Sequence, residues 1–260
     1  MASEGNKRSF DAATLAEPIQ LKRVRVILVA TSLARNIGSA ARAMKTMGLS
    51  RLYLVNPEQF PHQDAISLAS GADDLLRDAV VCHDLESALG DCTAVYGASA
   101  RPRGIQMPEL SARAAALQAL NVAEAHEVAF VFGSERQGLE NHELLMCQQR
   151  LEIPANPQFS SLNLASAVQI VCYELRQAAL SPRQVEPVRQ SAPIADLERF
   201  LEHLSRVCEQ IGFFGNKNPE IVLTRLRRLY QRAQMNPKEL QMLRGVLTET
   251  EHALERARKR

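Results

Sequence analysis

The 260-residue sequence predicts an α/β protein with a mostly parallel sheet, followed by a small all-helical domain. Short apolar runs alternate with helical patterns, which is typical of a parallel sheet covered by helices on both faces. Residues 181–195 then hold three prolines without an apolar period and indicate a linker. Three helical patterns fill residues 196–260 and predict the second domain.

Each element has its own signal. Apolar runs predict strands over residues 24–30, 52–55, 93–99, 128–132 and 151–153. Apolar periodicity and helix-stop residues predict helices over residues 37–47, 84–90, 108–123 and 162–179, with Pro108 in the first turn of the third. The C-terminal helices span residues 196–211, 219–234 and 237–256, and Asn-Pro pairs open the last two. Residues 1–21 are mixed polar and charged, which predicts a disordered extension.

The composition indicates which broad classes of protein this chain can belong to. No apolar run approaches 18 residues, so we expect no membrane span. The five cysteines form no C-x-x-C pair, which favours reduced, mostly buried thiols, a cytoplasmic protein and no metal site. The net charge is only +2, but residues 221–260 hold ten Lys and Arg against four Glu. This block indicates either a solvated helical face or a polyanion-binding surface.

In a parallel sheet, ligands bind beyond the carboxyl ends of the strands, so the post-strand loops are the candidate sites. After the first strand, Asn36-x-Gly38-x-x-x-Arg42 opens a helix, whose N-terminus favours anions. The apolar stripe of this helix consists of Ile37, Ala40, Ala41, Met44 and Met47. Arg42 is expected on the opposite side with Gly38, Ser39 and Thr46. It is either solvated or a clamp for phosphate.

Three later loops carry further candidates. Arg101-Pro102-Arg103 after the third strand fits a phosphate site or a surface loop. The segment 132–139, F-G-S-E-R-Q-G-L, has two glycines that allow a tight turn and a close approach of backbone to a ligand. The segment 153–165 holds an extended loop and two serines that can cap the following helix. Capping by the serines leaves Asn163 unexplained.

In this order and spacing, N-x-G-x-x-x-R, F-G-S-E-R-x-G-L and I-P-x-x-x-x-x-S-S-L-N-L-A resemble the three motifs of the SPOUT superfamily of RNA methyltransferases. Segments such as ARAMKTMGL, LYLVNP and GASARPR resemble its branch that methylates the ribose of nucleotide 32 in the tRNA anticodon loop. The resemblance implies a methyltransferase domain over residues 22–180 with a deep trefoil knot. It also implies S-adenosylmethionine as cofactor, tRNA as substrate, a homodimer whose subunits share each site, and a tRNA-binding domain over residues 196–260.

The resemblance also implies which residues form the site. Backbone groups of three loops would hold the cofactor: Ala98, Ser99 and Ala100; Gly133, Ser134, Glu135 and Gly138; and Ile153, Ser160, Ser161, Leu162 and Asn163. The catalytic residues would be Arg42, Ser161 and Asn36. Contacts to tRNA would come from Arg42, Arg101, Arg103, Arg225, Arg227 and Arg228. Because a guanidinium stays protonated, we expect Arg42 to orient the ribose, while phosphate, Ser161 or water takes the proton.

Four other functions remain open from the sequence. The protein could methylate ribosomal RNA, or a base nitrogen instead of a ribose. It could also be a non-catalytic RNA-binding module, although the complete set of motifs argues against this. A nucleotide-binding enzyme of another fold is disfavoured, because the chain has neither G-x-G-x-x-G nor a Walker A motif.

Overall fold

The computed structural model describes residues 18–99, 107–181 and 191–258, and its described part is built on one sheet of seven parallel strands. In space the strands follow the order β3-β2-β1-β6-β4-β7-β5. Their bounds are β1 (Val24–Val29), β2 (Arg51–Val55), β3 (Val80–Cys82), β4 (Cys92–Ala98), β5 (Glu109–Ser111), β6 (Glu127–Phe132) and β7 (Gln149–Glu152). The predicted parallel α/β sheet is confirmed. The trefoil knot stays a prediction from the family resemblance.

Helices cover both faces of this sheet. The helices of the described residues are α1 (Ala34–Thr46), α2 (Gln63–Ala69), α3 (Asp73–Arg77), α4 (Leu85–Leu89), α5 (Ala112–Val122), α6 (Asn141–Met146), α7 (Leu164–Leu180), α8 (Ile194–Gln210), α9 (Pro219–Ala233) and α10 (Pro237–Arg258). Val26 and Leu28 of β1 pack with α1, α2, α5 and α7, whereas Ile27 and Val29 pack with α4 and α6. A strand buried on both faces explains why β1 is a continuous apolar run and not an alternating one.

Several predicted bounds are wrong. Pro108 does not start a helix, because its carbonyl accepts a hydrogen bond from the Arg150 backbone N–H at 2.9 Å and the chain continues into β5. The helix starts at Ala112, after the hydroxyl of Ser111 accepts from Ala114 N–H. Helices α2, α3 and α6 and strands β3 and β5 were not predicted. Each has three to seven residues, too few for a clear periodicity.

The boundaries of the first domain also differ from the prediction. Residues 1–17 of the predicted extension and residues 182–190 of the predicted linker lie outside the described residues. The extension prediction fails at its end, because residues Ile19–Arg23 form a short 3-10 helix and Leu21 is fully buried in the core. The linker prediction fails at its end too. Helix α8 starts at Ile194, whose side chain is buried among those of α4 and the sheet.

The C-terminal module consists of α8, α9 and α10 around a small apolar core. Phe200 of α8 and Tyr230 of α9 meet edge to face, with ring centroids 4.7 Å apart. The module touches the sheet domain through two backbone acceptors: Ala195 N–H donates to Gly90 and the Gln231 amide donates to Leu145. The basic residues of α9 and α10 therefore belong to a folded module that packs against the sheet domain.

Within the described ranges, no helix is long and apolar enough to cross a membrane. In the same ranges, no group of three or more His, Cys, Asp or Glu side chains is placed to hold a metal ion. All five cysteines are free and four of them are buried. Burial raises the pKa of the Cys92 thiol to about 12, so this thiol is protonated at neutral pH.

Candidate active site

A cavity of about 140 Å³ lies at the carboxyl ends of β4, β6 and β7. The three post-strand loops meet there because these strands are neighbours in the sheet. The structure brings the following predicted cofactor residues into its lining: Ala98, Ser99, Gly133, Ser134, Glu135, Gly138, Ile153, Ser160, Ser161 and Leu162. No cofactor role was predicted for the other lining residues, which are Phe132, Arg136, Gln137, Leu151, Leu164 and Ala167. Ala100 lies outside the described residues.

The loop after β6 is closed by its two glycines. A Cβ atom on Gly133 would lie 2.1 Å from the carbonyl carbon of Gly138 and from the Leu139 nitrogen. Gly138 N–H donates to the Ser134 carbonyl at 2.8 Å, and Gly138 has a φ of 66°. The predicted tight turn is therefore found, because the missing side chain of Gly133 lets the loop close upon itself. The close approach of this backbone to a ligand stays a prediction.

Glu135 joins this loop to the start of α1. One carboxylate oxygen accepts from the backbone N–H and the hydroxyl of Ser32, both at 3.0 Å. The other accepts from Leu33 N–H at 3.3 Å and from the Asn36 amide at 2.7 Å. An anion was expected at this helix N-terminus. The anion found here is a carboxylate of the protein, not a phosphate.

Asn36 connects Glu135 to the third motif loop. Its Oδ1 accepts from the Asn163 amide at 3.1 Å, while Asn163 Oδ1 caps α7 by accepting from Ala165 N–H at 2.9 Å. Asn163 is therefore the cap that the two serines were expected to supply, and it does not line the cavity. Asn36 is only 4% exposed, which corrects its predicted catalytic role. It is a positioning residue that ties three loops together.

The electrostatics of this chain favour an ionised Glu135. Burial acts to raise the pKa of Glu135, but hydrogen bonds from Ser32 and Asn36 outweigh it, and the pKa lies below its usual range. A carboxylate with its lone pairs occupied in this way holds neighbouring loops in place and is poorly suited to take a proton. Glu135 is therefore a poor candidate for a general base.

Arg42 is exposed on α1, and its guanidinium has no partner among the described residues. It does not line the cavity. It lies eight residues after the start of α1, or about 12 Å along the helix axis. Gly38, expected on the same open side, is buried instead. A Cβ atom there would lie 2.0 Å from the Ala65 carbonyl oxygen, so Gly38 allows α2 to pack against α1.

The predicted tRNA contacts divide into three groups. Arg101 and Arg103 lie outside the described residues. Arg227 pairs through both guanidinium nitrogens with Glu198 of α8, one of them at 2.6 Å, and this corrects its predicted role. The ion pair of its guanidinium with Glu198 links α9 to α8. Arg225 is exposed on α9, whereas Arg228, almost one turn further on, is half-buried.

Sequence reasoning missed the linking role of Glu135 because its partners lie 99 to 103 residues away in the chain. One signal was present. Asn36, Glu135 and Asn163 each stand in a different motif, and each motif follows a different strand of the predicted sheet. Polar residues at adjacent strand ends are close in space, so a bond between the motifs could have been predicted.

Comparison with known proteins agrees with this architecture. Residues 23–173 match the SpoU rRNA Methylase family, and residues 195–259 match the C-terminal domain of the tRNA methyltransferase TrmJ. The chain is 48% identical over 236 residues to "tRNA (cytidine/uridine-2'-O-)-methyltransferase TrmJ" of Sodalis glossinidius, which covers 89% of this chain and 92% of that one. It is 47% identical over 243 residues to "tRNA (cytidine/uridine/adenosine-2'-O-)-methyltransferase TrmJ" of Pseudomonas aeruginosa, with coverage of 89% and 95%.

Solved structures give the same answer. TrmJ from Z. mobilis superposes with a TM-score of 0.78 at 36% identity, covering 87% of this chain and 98% of that one. A probable methylase family protein from Haemophilus influenzae superposes with a TM-score of 0.60 at 40% identity, covering 91% and 99%. The resemblance drawn from the three motifs is confirmed. This chain belongs to the SpoU methylase family and, within it, to the TrmJ methyltransferases.

Proposed function

We propose that this protein transfers a methyl group from S-adenosylmethionine to the ribose 2′-oxygen of the pyrimidine at nucleotide 32 of the tRNA anticodon loop. The observation that carries the proposal is the cavity where the loops after β4, β6 and β7 meet, with Ser161 in its lining. The names of the relatives from S. glossinidius and P. aeruginosa support a ribose acceptor on tRNA. The position within the loop rests on the motif resemblance.

The lining of the cavity fits the cofactor. Apolar residues at strand and helix ends, such as Phe132, Leu151 and Leu164, suit the faces of an adenine ring. The glycine loop and the serines offer backbone and hydroxyl groups to its polar edges. When bound, S-adenosylmethionine supplies the methyl group that is transferred.

The work of the protein is then alignment and removal of a proton. Ser161 is exposed, lines the cavity and can hydrogen-bond the incoming ribose. Arg42 orients the ribose and its phosphate through its planar fork of donors. With Glu135 engaged by four donors, the proton leaves through Ser161, the phosphate or water.

A second copy of the chain completes the site in this proposal. The loops of one chain form the cavity, but Arg42 of the same chain is outside its lining. A partner that supplies its own Arg42 would bring a cation to the ribose, and a symmetric dimer does this twice. Light scattering should therefore give about twice 28.8 kDa. A monomer that still turns over would contradict this arrangement.

The C-terminal module docks the tRNA in this proposal. Arg225, Arg228 and Arg232 follow the i, i+3, i+7 spacing of one helical face, and Arg225 and Arg232 are exposed. Phosphate contacts of this kind position an RNA without reading its sequence. The match of this module to a tRNA methyltransferase domain favours tRNA over ribosomal RNA. A tRNA substrate and five free thiols also fit a cytoplasmic location.

Nucleoside mass spectrometry of tRNA, incubated with the enzyme and S-adenosylmethionine, tests the function. We expect 2′-O-methylcytidine or 2′-O-methyluridine at nucleotide 32. The matched control is the same tRNA with a single 2′-deoxy nucleotide at that position, which should accept no methyl group there. Undiminished incorporation into the control, or a methylated base, would contradict the proposal.

A further inference from the structure

Phe159 lies in the loop between β7 and α7 and is 78% exposed, the largest value among the exposed large hydrophobic side chains of the described residues. The next residue, Ser160, and the one after it, Ser161, both line the cofactor cavity, whereas Phe159 does not. An isolated exposed apolar side chain is ordinary. The position of this one, directly beside the cavity where the ribose must arrive, is what requires explanation.

The loop holds the backbone at Phe159 in a defined turn. Phe159 N–H donates to the Asn156 carbonyl at 2.9 Å, and Gln158 N–H donates to Asn156 Oδ1 at 3.0 Å. Pro157 occupies the second position of this turn and fixes its φ, and Pro154 restricts the backbone before it. The ring is thus exposed to solvent on an ordered loop. A ligand that binds to it therefore pays a smaller entropy cost for ordering the loop.

An exposed aromatic face beside a ribose-modifying site matches the chemistry of a nucleobase. Bases in single-stranded loops are recognised largely by stacking on aromatic side chains. Stacking accepts different bases because each has a π-face. It suits an enzyme that acts on the sugar and does not need to read the base edge.

We propose that the Phe159 ring is the stacking platform for the base of the nucleotide that is methylated. This inference rests on the proposed function, which supplies an RNA acceptor, and adds a residue that positions it. Stacking would fix the base outside the cavity and leave the attached ribose to face Ser161. Phe159 therefore sets how well the acceptor is held, and it should leave cofactor binding unaffected.

Kinetics with an anticodon stem-loop RNA test the proposal. F159A should lower kcat/KM for RNA by about 5- to 100-fold, as expected for loss of one stacked base. F159Y keeps the ring and should restore activity, whereas F159L keeps apolar bulk without a π-face and should not. An RNA that lacks the base at the target nucleotide should be a poor substrate for the wild-type protein, and F159A should cost nothing further with it. An equal loss on both RNAs would overturn the proposal.

Fluorescence gives a readout that does not depend on catalysis. The chain contains no tryptophan, so F159W introduces a single reporter. Addition of the stem-loop RNA should quench its emission, and the RNA without the target base should not. The control V81W lies on edge strand β3, five strands from β7 or about 24 Å away, and should not respond to either RNA.

Two further results would overturn the proposal. If F159W is unquenched by RNA, the ring does not stack on a base. If F159A is monomeric where the wild type is a dimer, a second copy of the chain covers the ring. Failure of the proposed function looks different: wild-type protein would then form no 2′-O-methyl product, while the quenching of F159W would still report whether a base stacks.

Discussion

Removal of the Glu135 carboxylate should destabilise the fold, because four donors from another part of the chain converge on it. E135A leaves the Asn36 amide buried without its acceptor, at a cost of about 1–3 kcal/mol. Ser32 and Leu33 lie nearer to solvent, so water can replace part of the hydrogen bonding that they lose in E135A. We expect a total of about 2–4 kcal/mol, which in a protein of this size lowers the Tm by roughly 5–12 °C.

Thermal unfolding at fixed protein concentration measures this effect. E135Q keeps one oxygen for Asn36 and should lose about half as much stability as E135A. The matched control is E58A, since Glu58 is exposed and its carboxylate has no partner among the described residues. If E135A melts at the same temperature as E58A, the carboxylate does not hold the loops together.

The same contacts predict a pH dependence with a definite sign. Burial would raise the pKa of Glu135, but its hydrogen bonds hold the pKa below the ordinary glutamate value of about 4.3. Its stabilisation is therefore fully present above that value and is lost as the pH falls through the lower pKa of the folded state. The Tm difference between wild type and E135Q should be constant near neutrality and should shrink below about pH 4.

Two further predictions concern the arginines. R42A should lose most methyl transfer while keeping its Tm and its affinity for S-adenosylmethionine, since Arg42 is exposed and outside the cavity. An active R42A enzyme would refute the role of Arg42. R42K tests whether the planar guanidinium is needed or a positive charge is enough. Replacing both Arg225 and Arg232 by Ala should weaken tRNA binding and reduce the slope of log K against log salt concentration by about 2. The control R227M should leave this slope unchanged and destabilise the module by about 3 kcal/mol, because Glu198 is then buried without its partner. Equal salt slopes for the double variant and the wild type would show that Arg225 and Arg232 bind no phosphate.

The sequence predicts the central strands of the sheet well because these strands are buried on both faces. Strand β1 and its neighbours read as continuous runs, and their carboxyl ends marked the correct loops. Residues 56–91 were mostly missed, because α2, α3 and β3 are short and their packing is determined by the neighbours they touch. Helix α2, for example, packs closely against α1 only because Gly38 has no side chain.

The site was predictable as a set of loops but not as a set of roles. A motif records which residue types stand where, and it does not record their partners. The cap that Asn163 provides for α7 depends on the exact start of that helix. The bonds of Asn36 to Asn163 and to Glu135 join residues far apart in the sequence. Arg227 shows the same limit. Its position in a basic block suggested RNA, yet a buried glutamate takes its guanidinium.

The contacts of Asn36 connect catalysis to folding in a specific way. Its amide donates to Glu135 and its carbonyl oxygen accepts from Asn163, so one buried side chain joins the loops after β1, β6 and β7. Two of these loops line the cavity, and the third begins the helix that carries Arg42. The cavity and α1 therefore keep a fixed relative position before any ligand arrives. In a dimer, the same rigidity would set where each Arg42 meets the cavity of its partner, so that alignment of the ribose would follow from how the two copies pack.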